Sequence, residues 1–300
     1  MQRLVSARLD ADWPAINFHP GDVDWFVFTA GWRVPPLTER LRLWFDAGST
    51  LVGCAWLSPP ADLDFLVAPS PAVSNTDDLI REMAEWGEAN RFAIGGDAVG
   101  SLRLLVATGD ERALGSSARL GFVPEGQAEV VNFTGDLTLA DAWPDPMLPD
   151  GMAVRRLETD AQIEARVICA HAAFPNSTTT AERYRGVRDA WLYRADLDLQ
   201  IVTPDGDVAA FALGWLDDAT SSVELEPVGV HPDWHRRGLG GEICRAVLRA
   251  AQGLGARRAM VTAERSNPAA IALYASLGLE MTSEIVALVR PTIFATTEVT

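Results

Sequence analysis

Two glutamates, Glu224 and Glu226, stand two positions apart in an extended run, and a tyrosine, Tyr274, follows further along the chain. A carboxylate in a partly dry cleft has a raised pKa and can take a proton from an amine whose own pKa is ~10.4. A phenol with a pKa of ~10 keeps its proton at neutral pH and can hand it to a departing thiolate. Between these groups lie residues 231–240, HPDWHRRGLG, entered from the extended run 222–230 and left through a helical stretch, 241–252. A strand that turns into a helix leaves the first helical N–H groups without backbone partners. Gly238, Gly240 and Gly241 let phosphate oxygens approach them, with Arg236 and Arg237 adding positive charge. The chemistry implied is capture of a phosphorylated carrier beside an acid–base pair.

What is missing narrows the carrier. A Walker A loop needs a lysine after its last glycine, and all 25 basic residues of this chain are arginine. A Rossmann fingerprint needs a third glycine where Ile243 stands. Downstream, 256–262 reads as a buried strand, and 267–279, NPAAIALYASLGL, as a short helix capped by Asn267, with Pro268 in its first turn and Gly278 at its stop.

From about Glu224 to Leu279 the chain resembles the GNAT acyltransferases. The resemblance implies that the glycine loop, Gln/Arg-x-x-Gly-x-Gly/Ala in that family, binds the pyrophosphate of acetyl-CoA. It also places an Asn and a Tyr, here Asn267 and Tyr274, near the pantetheine and sulfur. One position departs from the pattern: His235 opens the loop ahead of Arg236, Arg237, Gly238, Leu239, Gly240 and Gly241. The backbone of Val228, Gly229 and Val230 is expected to hold pantetheine or the thioester oxygen, because Pro227 donates no ladder hydrogen bond and should open or bulge the strand. A regular pleat would put Glu224 and Glu226 on the same face as Val228 and Val230.

The elements that must position these residues fill a chain of 300 residues, enough for two domains of this type, and 48% hydrophobic content is ample for two cores. Cys54, Cys169 and Cys244 are scattered, with no metal or disulfide spacing, so no metal is expected and a reducing cytoplasm fits. Neither a signal peptide nor a membrane-spanning stretch is legible, which points to a soluble cytoplasmic protein, monomer or homodimer. The net charge of −16 argues against nucleic acid and favours a cationic or neutral small-molecule acceptor. Residues 1–150 carry 22 acids and 10 arginines, net −12, and residues 151–300 carry 19 and 15, net −4, so the anion site falls in the less acidic half.

A faint internal repeat links the halves. SSARLGF, 116–122, overlies LYASLGL, 273–279, which puts Asp110 on Asn267, Ala113 on Ala270 and Ser117 on Tyr274. Pro69 falls on Pro232, so Asn75, Asp77 and Asp78 replace the cradle glycines with side chains that would repel a pyrophosphate. The reading is an α/β (mixed α+β) protein of two tandem GNAT-type domains, each a mostly antiparallel sheet flanked by helices. It consists of a degenerate domain at 1–137, a Pro- and Asp-rich linker at 138–150 and a catalytic domain at 151–300.

Within that catalytic domain, strands are expected at 153–157, 199–203, 208–216, 222–230, 256–262 and 281–289, and helices at 160–173, 180–193 and 240–252. Phe174, Tyr184, Trp191, Tyr193 and Trp215 are possible acceptor walls, and His171 is a helix-face histidine near them. His19 has no legible context, His231 is expected to shape the turn, and disorder is expected only past Pro291. The function expected is acetyl transfer from acetyl-CoA to a primary amine by direct attack. The alternatives are a non-catalytic acyl-CoA-binding scaffold, an acetyltransferase resembling the mycothiol synthases, which also pair a live and a decayed copy, and aminoacyl transfer from tRNA, which fits the charge poorly.

Overall fold

A computed structural model describes residues 1–15, 18–30, 37–69, 75–95, 100–139 and 143–291. The first half contains α1 (Gln2–Asp12), α2 (Pro20–Trp25), α3 (Leu37–Arg40), β1 (Leu41–Phe45), β2 (Leu51–Ser58), β3 (Asp62–Val67), α4 (Thr76–Gly95), β4 (Arg103–Ala107), α5 (Glu111–Arg119), β5 (Val123–Pro124) and β6 (Val130–Asp136). The second contains β7 (Ala153–Arg156), α6 (Asp160–Ala173), α7 (Ala181–Val187), β8 (Asp198–Val202), β9 (Val208–Asp217), β10 (Ser222–Val230), α8 (Leu239–Gly253), β11 (Arg258–Glu264), α9 (Pro268–Ser276) and β12 (Glu280–Val289). The expected strands and helices of the second half are all present. The second helix is shorter than its apolar pattern suggested. It stops at Val187, and the chain beyond turns back so that Leu192 N–H donates to Asp24 of α2.

Among the described residues, twelve strands make one mixed sheet in the order β1-β2-β3-β4-β12-β6-β11-β10-β9-β8-β7, with β5 paired to β12. All neighbours are antiparallel except β3 with β4 and β10 with β11, one parallel pair in each half. The sheet is continuous because the last strands are exchanged. β6 of the first half lies along β11, and β12 pairs with β6 through Glu280–Ile285 and with β4 through Ile285–Val289. The residues 143–149 form no regular element but run along α8, where Glu242 accepts from Met147 N–H and Gln252 from Trp143 N–H.

Helix α8 explains why the cradle is held firmly. Leu239, Ile243, Cys244, Val247, Leu248 and Ala251 recur at helical spacing and are all buried, and each large one contributes roughly 1.5–3 kcal/mol of burial. The stripe packs so closely on β9 that a Cβ at Gly214 would lie 2.6 Å from a Val247 methyl. Free thiols at Cys54, Cys169 and Cys244 are buried in the cores, where desolvation pushes them up to about 12, about 11 and about 12. No helix among the described residues is long and apolar enough to cross a membrane. Residues 292–300 lie outside the described residues.

Candidate functional site

Strand β10 begins as an ordinary inner strand and ends as one arm of a fork. It pairs with β11 only over Ser222–Glu224, then diverges, and its ladder with β9 shifts between Leu225 and Val228. Pro227 sits in that irregularity, as its missing N–H led one to expect. His231 N–H donates to Ala209, so the alternation of an antiparallel ladder turns the N–H groups of Val228 and Val230 away from β9, toward the side that β11 has left. The extra residue also corrects the regular-pleat expectation. Glu224 stands opposite Trp215, whereas Val228 and Val230 stand opposite Ala212 and Ala210, on the other face of the sheet. The glutamates and the valines therefore serve opposite sides of β10.

A cleft of about 590 Å³ fills the fork. Val228, Gly229, Val230, His235, Arg236, Gly238, Leu239, Gly240, Gly241, Asn267 and Tyr274 all line it. Arg237 does not; its guanidinium lies 4.5 Å from the Trp234 ring. Gly238 adopts φ +79° at the N-cap of α8, where no side chain caps the first turn. The first N–H groups of the helix are thus left for a ligand. A Cβ at Gly240 would come 3.3 Å from Leu273 and 3.4 Å from Val230, so a side chain there would fill the cradle. His231 Nδ1 accepts from Asp233 N–H and His235 Nε2 meets the Val230 carbonyl at 3.0 Å, so both histidines shape the turn.

Asn267 caps α9, its side chain accepting from Ala270 N–H at 3.1 Å. Tyr274 on the same helix packs edge-on against Phe133 of β6, ring centres 5.8 Å apart. Burial, with Cys244 and Glu226 nearby, pushes its phenol well above the usual value. It stays a proton donor throughout the physiological range.

The carboxylates acquire a partner that the sequence did not announce. Helix α2, from the first half, lies on β9 so tightly that a Cβ on Gly21 would be 2.4 Å from Trp215 Cβ. This contact brings Asp22 to Glu224 and Glu226, with carboxylate oxygens of all three within 4.8 Å of one another. Glu224 is 1% exposed, and neither of its oxygens accepts a hydrogen bond from an N–H or O–H of the described residues. Burial and the neighbouring acids push Glu224 and Glu226 well above the usual carboxylate range, and burial takes Asp22 to about 6. His19 holds the helix in place. It is fully buried, its Nδ1 accepts from Gly21 N–H, and its Nε2 lies 2.9 Å from Ser222 Oγ. Its Nδ1 is also 3.5 Å from Glu224, but burial brings the imidazole down to about 4, so the ring is neutral at pH 7 and the contact is not an ion pair. The signal that could have found this group is the sequence His19-Pro20-Gly21-Asp22, in which His19 and Asp22 form a reciprocal capping box.

On the glutamate side of β10 a second cavity of about 270 Å³ is walled by Trp25, Phe174, Phe211, Tyr184 and Pro227. Phe174 lines both cavities, and the bulge gives Pro227 to one and Val228 to the other. The two cavities therefore share Phe174 as a wall and reach the bulge from its two sides, while Glu226, next to Pro227 in the chain, lines neither. Of the other expected walls, Trp215 is buried and donates to the Glu226 carbonyl, Tyr193 donates to Asp198, and Trp191 is 69% exposed against Phe28. His171 bonds the Thr179 carbonyl from the surface of α6.

The first half repeats the frame, with acids at the start of its long helix α4. Asp110 caps α5 by accepting from Ala113 N–H, just as Asn267 caps α9 through Ala270, and β3 pairs with β4 over three residues, as β10 does with β11. Asp77 at the start of α4 is held by Arg119 and Ser116, which bring its carboxyl down to about 2. Asp78 bonds Asn75. Ser117, where Tyr274 stands in the other half, is fully buried. The loop 70–74 lies outside the described residues.

Comparison with known proteins agrees with this geometry. Residues 167–279 match the model of the Acetyltransferase (GNAT) family. Mycothiol acetyltransferases of Streptomyces coelicolor and Salinispora tropica are 28% and 32% identical over 138 and 145 residues. Each match covers 45% of this chain, and the chain spans less than half of those relatives, 45% and 47%. Among solved structures, a GCN5-related N-acetyltransferase from Sphaerobacter thermophilus superposes with a TM-score of 0.63 at 20% identity, over 97% of this chain and 92% of its own. A tandem GNAT protein from the clavulanic acid biosynthesis pathway does so with a TM-score of 0.64 at 16% identity, over 96% and 93%. The fold over nearly the whole length is thus like that of a tandem GNAT protein, and residues 167–279 of the second half are similar to the Acetyltransferase (GNAT) family.

Proposed function

We propose that the protein transfers an acetyl group from acetyl-CoA to a primary amine of a small molecule, by direct attack within the second half. The observation that carries this reading is the approach of two cavities to the β10 bulge, one bearing an uncapped helix terminus and the other walled by Trp25 and Pro227, the helix and strand neighbours of the Asp22–Glu224–Glu226 cluster. Gly238, Leu239, Gly240 and Gly241 would hold the pyrophosphate with backbone N–H groups, with Arg236 beside them. The N–H groups of Val228 and Val230 would bond the pantetheine arm or the thioester oxygen.

Acetyl-CoA supplies the activated thioester. Of the two protons that the acceptor ammonium gives up, one passes to Glu224 or Glu226 and on to water. The other ends on the CoA sulfur by way of Tyr274 Oη, while the C–N bond forms and the C–S bond breaks. The mycothiol acetyltransferase relatives favour a second, narrower reading, in which the amine belongs to a cysteinyl aminosugar. The rival of another class, an acyl-CoA-binding scaffold, would need the cradle but not the carboxylates or Tyr274.

The test is thermal unfolding with and without acetyl-CoA, since a ligand at 100 times its Kd adds about 2.7 kcal/mol to the native state. Stabilisation that Gly240→Glu abolishes, followed by amine-dependent CoA release, is the expected result. No stabilisation of the wild type would overturn the reading, and stabilisation without CoA release from any primary amine would favour the scaffold.

A further inference from the structure

The first half has lost its own cradle, yet the structure gives it a part in the other half's chemistry. Asp22 reaches Glu224 and Glu226 across the boundary between the halves, and no arginine among the described residues forms an ion pair with any of the three. Asp64 of β3 is a fourth acid, close enough to feel Asp22. Three carboxylates with oxygens within 4.8 Å of one another, one of them buried without a hydrogen-bond donor, are short of positive charge and of N–H donors among the described residues. The cavity next to the cluster, which Trp25 of α2 and Pro227 of β10 help to wall, carries the flat rings of Trp25, Phe174, Tyr184 and Phe211, with Arg166 and Arg183 also lining it. The Arg166 guanidinium lies 3.5 Å from the Phe211 ring centre and faces Asp198 at 3.8 Å, so its charge is already matched.

We infer that Asp22, Glu224 and Glu226 form a composite seat for one protonated primary amine, and that the amine carries an apolar or aromatic body which lies between Trp25, Phe174 and Phe211. A primary ammonium offers three N–H donors to three carboxylates, and it brings the positive charge that no arginine among the described residues supplies. Asp22 binds the ammonium and orients it, while the glutamates of β10 take its proton. His19, neutral and fully hydrogen-bonded, is the strut that sets the height of Asp22 above the sheet. This inference rests on the acetyl-transfer reading and specifies its acceptor. It also gives the decayed half a reason to stay attached: without α2 the seat has two carboxylates and no Trp25 wall.

Calorimetric titration of the whole chain with 2-phenylethylamine tests the seat, with 2-phenylethanol as the uncharged control and acetyl-CoA titrated into the same samples. In Asp22→Asn, an isosteric change that keeps an acceptor for His19 N–H, 2-phenylethylamine should bind at least tenfold more weakly while acetyl-CoA affinity stays within twofold. The alcohol should bind weakly to both. In the wild type, amine affinity should fall with falling pH as protons displace the ammonium from Asp22, Glu224 and Glu226. His19, Asp64 and Tyr274 are the other titratable groups whose interactions reach the cluster, and Asp217 acts on His19. Asp22→Asn should displace that profile, which a merely structural role would not do. Equal amine affinity in wild type and variant overturns the inference, as does no amine binding by a protein that binds acetyl-CoA. Micromolar binding of Mn²⁺ that Asp22→Asn abolishes would make the seat a metal site and overturn it too. Failure of the wild type to bind acetyl-CoA defeats the acetyl-transfer reading itself and is seen separately.

Discussion

Gly21→Ala isolates the contact on which the shared site depends. The new methyl would sit 2.4 Å from Trp215 Cβ, 2.5 Å from Trp215 Cγ and 3.0 Å from His19 Nδ1. Unstrained carbon contacts need ~3.5 Å, so the helix is roughly 1 Å too close. Trp215 cannot yield, because it is fully buried and its indole donates to the Glu226 carbonyl. The displacement therefore falls on α2, and Asp22, the next residue, moves with it. Overpacking of this kind costs about 1–3 kcal/mol, too little to unfold a domain of ordinary stability. A misplacement of about 1 Å at a reacting group can cost about 10²-fold in rate. The expected outcome is a lower urea midpoint, amine acetylation reduced about 10²-fold and acetyl-CoA affinity within twofold of wild type, because the cradle lies on the opposite face of β10. Unchanged acetylation together with an unchanged urea midpoint would refute the reasoning, and a parallel loss of acetyl-CoA binding would show that the two cavities are not separable as described.

Tyr274→Phe should lower kcat roughly 10²-fold with acetyl-CoA binding intact, since the ring contact with Phe133 survives; steady-state kinetics beside calorimetry checks this. Burial, with Asp62 and Asp22 nearby, pushes Asp64 up to about 7, so the folded state binds more protons than the unfolded state between the unfolded pKa, about 4, and about 7. Its ionisation therefore costs stability as pH rises through that window, and Asp64→Asn should raise the urea midpoint at pH 7.5 while changing it little at pH 4.

The donor side of the site was legible because it is local. The cradle and the capped helix of Asn267 and Tyr274 are contiguous stretches whose glycines, proline and caps have direct backbone meanings, and the cleft gathers them all except Arg237. Pro227 correctly announced an irregular strand, but not that the added residue would reverse which face Val228 and Val230 occupy, because parity past a bulge depends on the partner strand. The acceptor side was illegible for a different reason. Asp22 and Trp25 lie some 200 residues from the glutamates, on a six-residue helix too short for periodicity, and only the His19–Asp22 capping box marks it. The shared sheet was equally hidden, since the apolar pattern of a strand shows that it is buried and not which neighbours bury it.

The exchange of β6 and β12 also sets a schedule for a chain emerging from the ribosome. The edge of β4 at Arg103–Ala107 is covered only when Ile285–Val289 arrives, about 180 residues later. At synthesis rates of 5–20 residues per second that is roughly 10–40 s, during which a paired-off sheet on one side ends in an open row of N–H and C=O groups on the other. The nascent first half must wait half-finished for the second to be made, so this protein leans on whatever shields unpaired strands during translation. Its two copies, however far they have diverged in chemistry, reach the folded state only together.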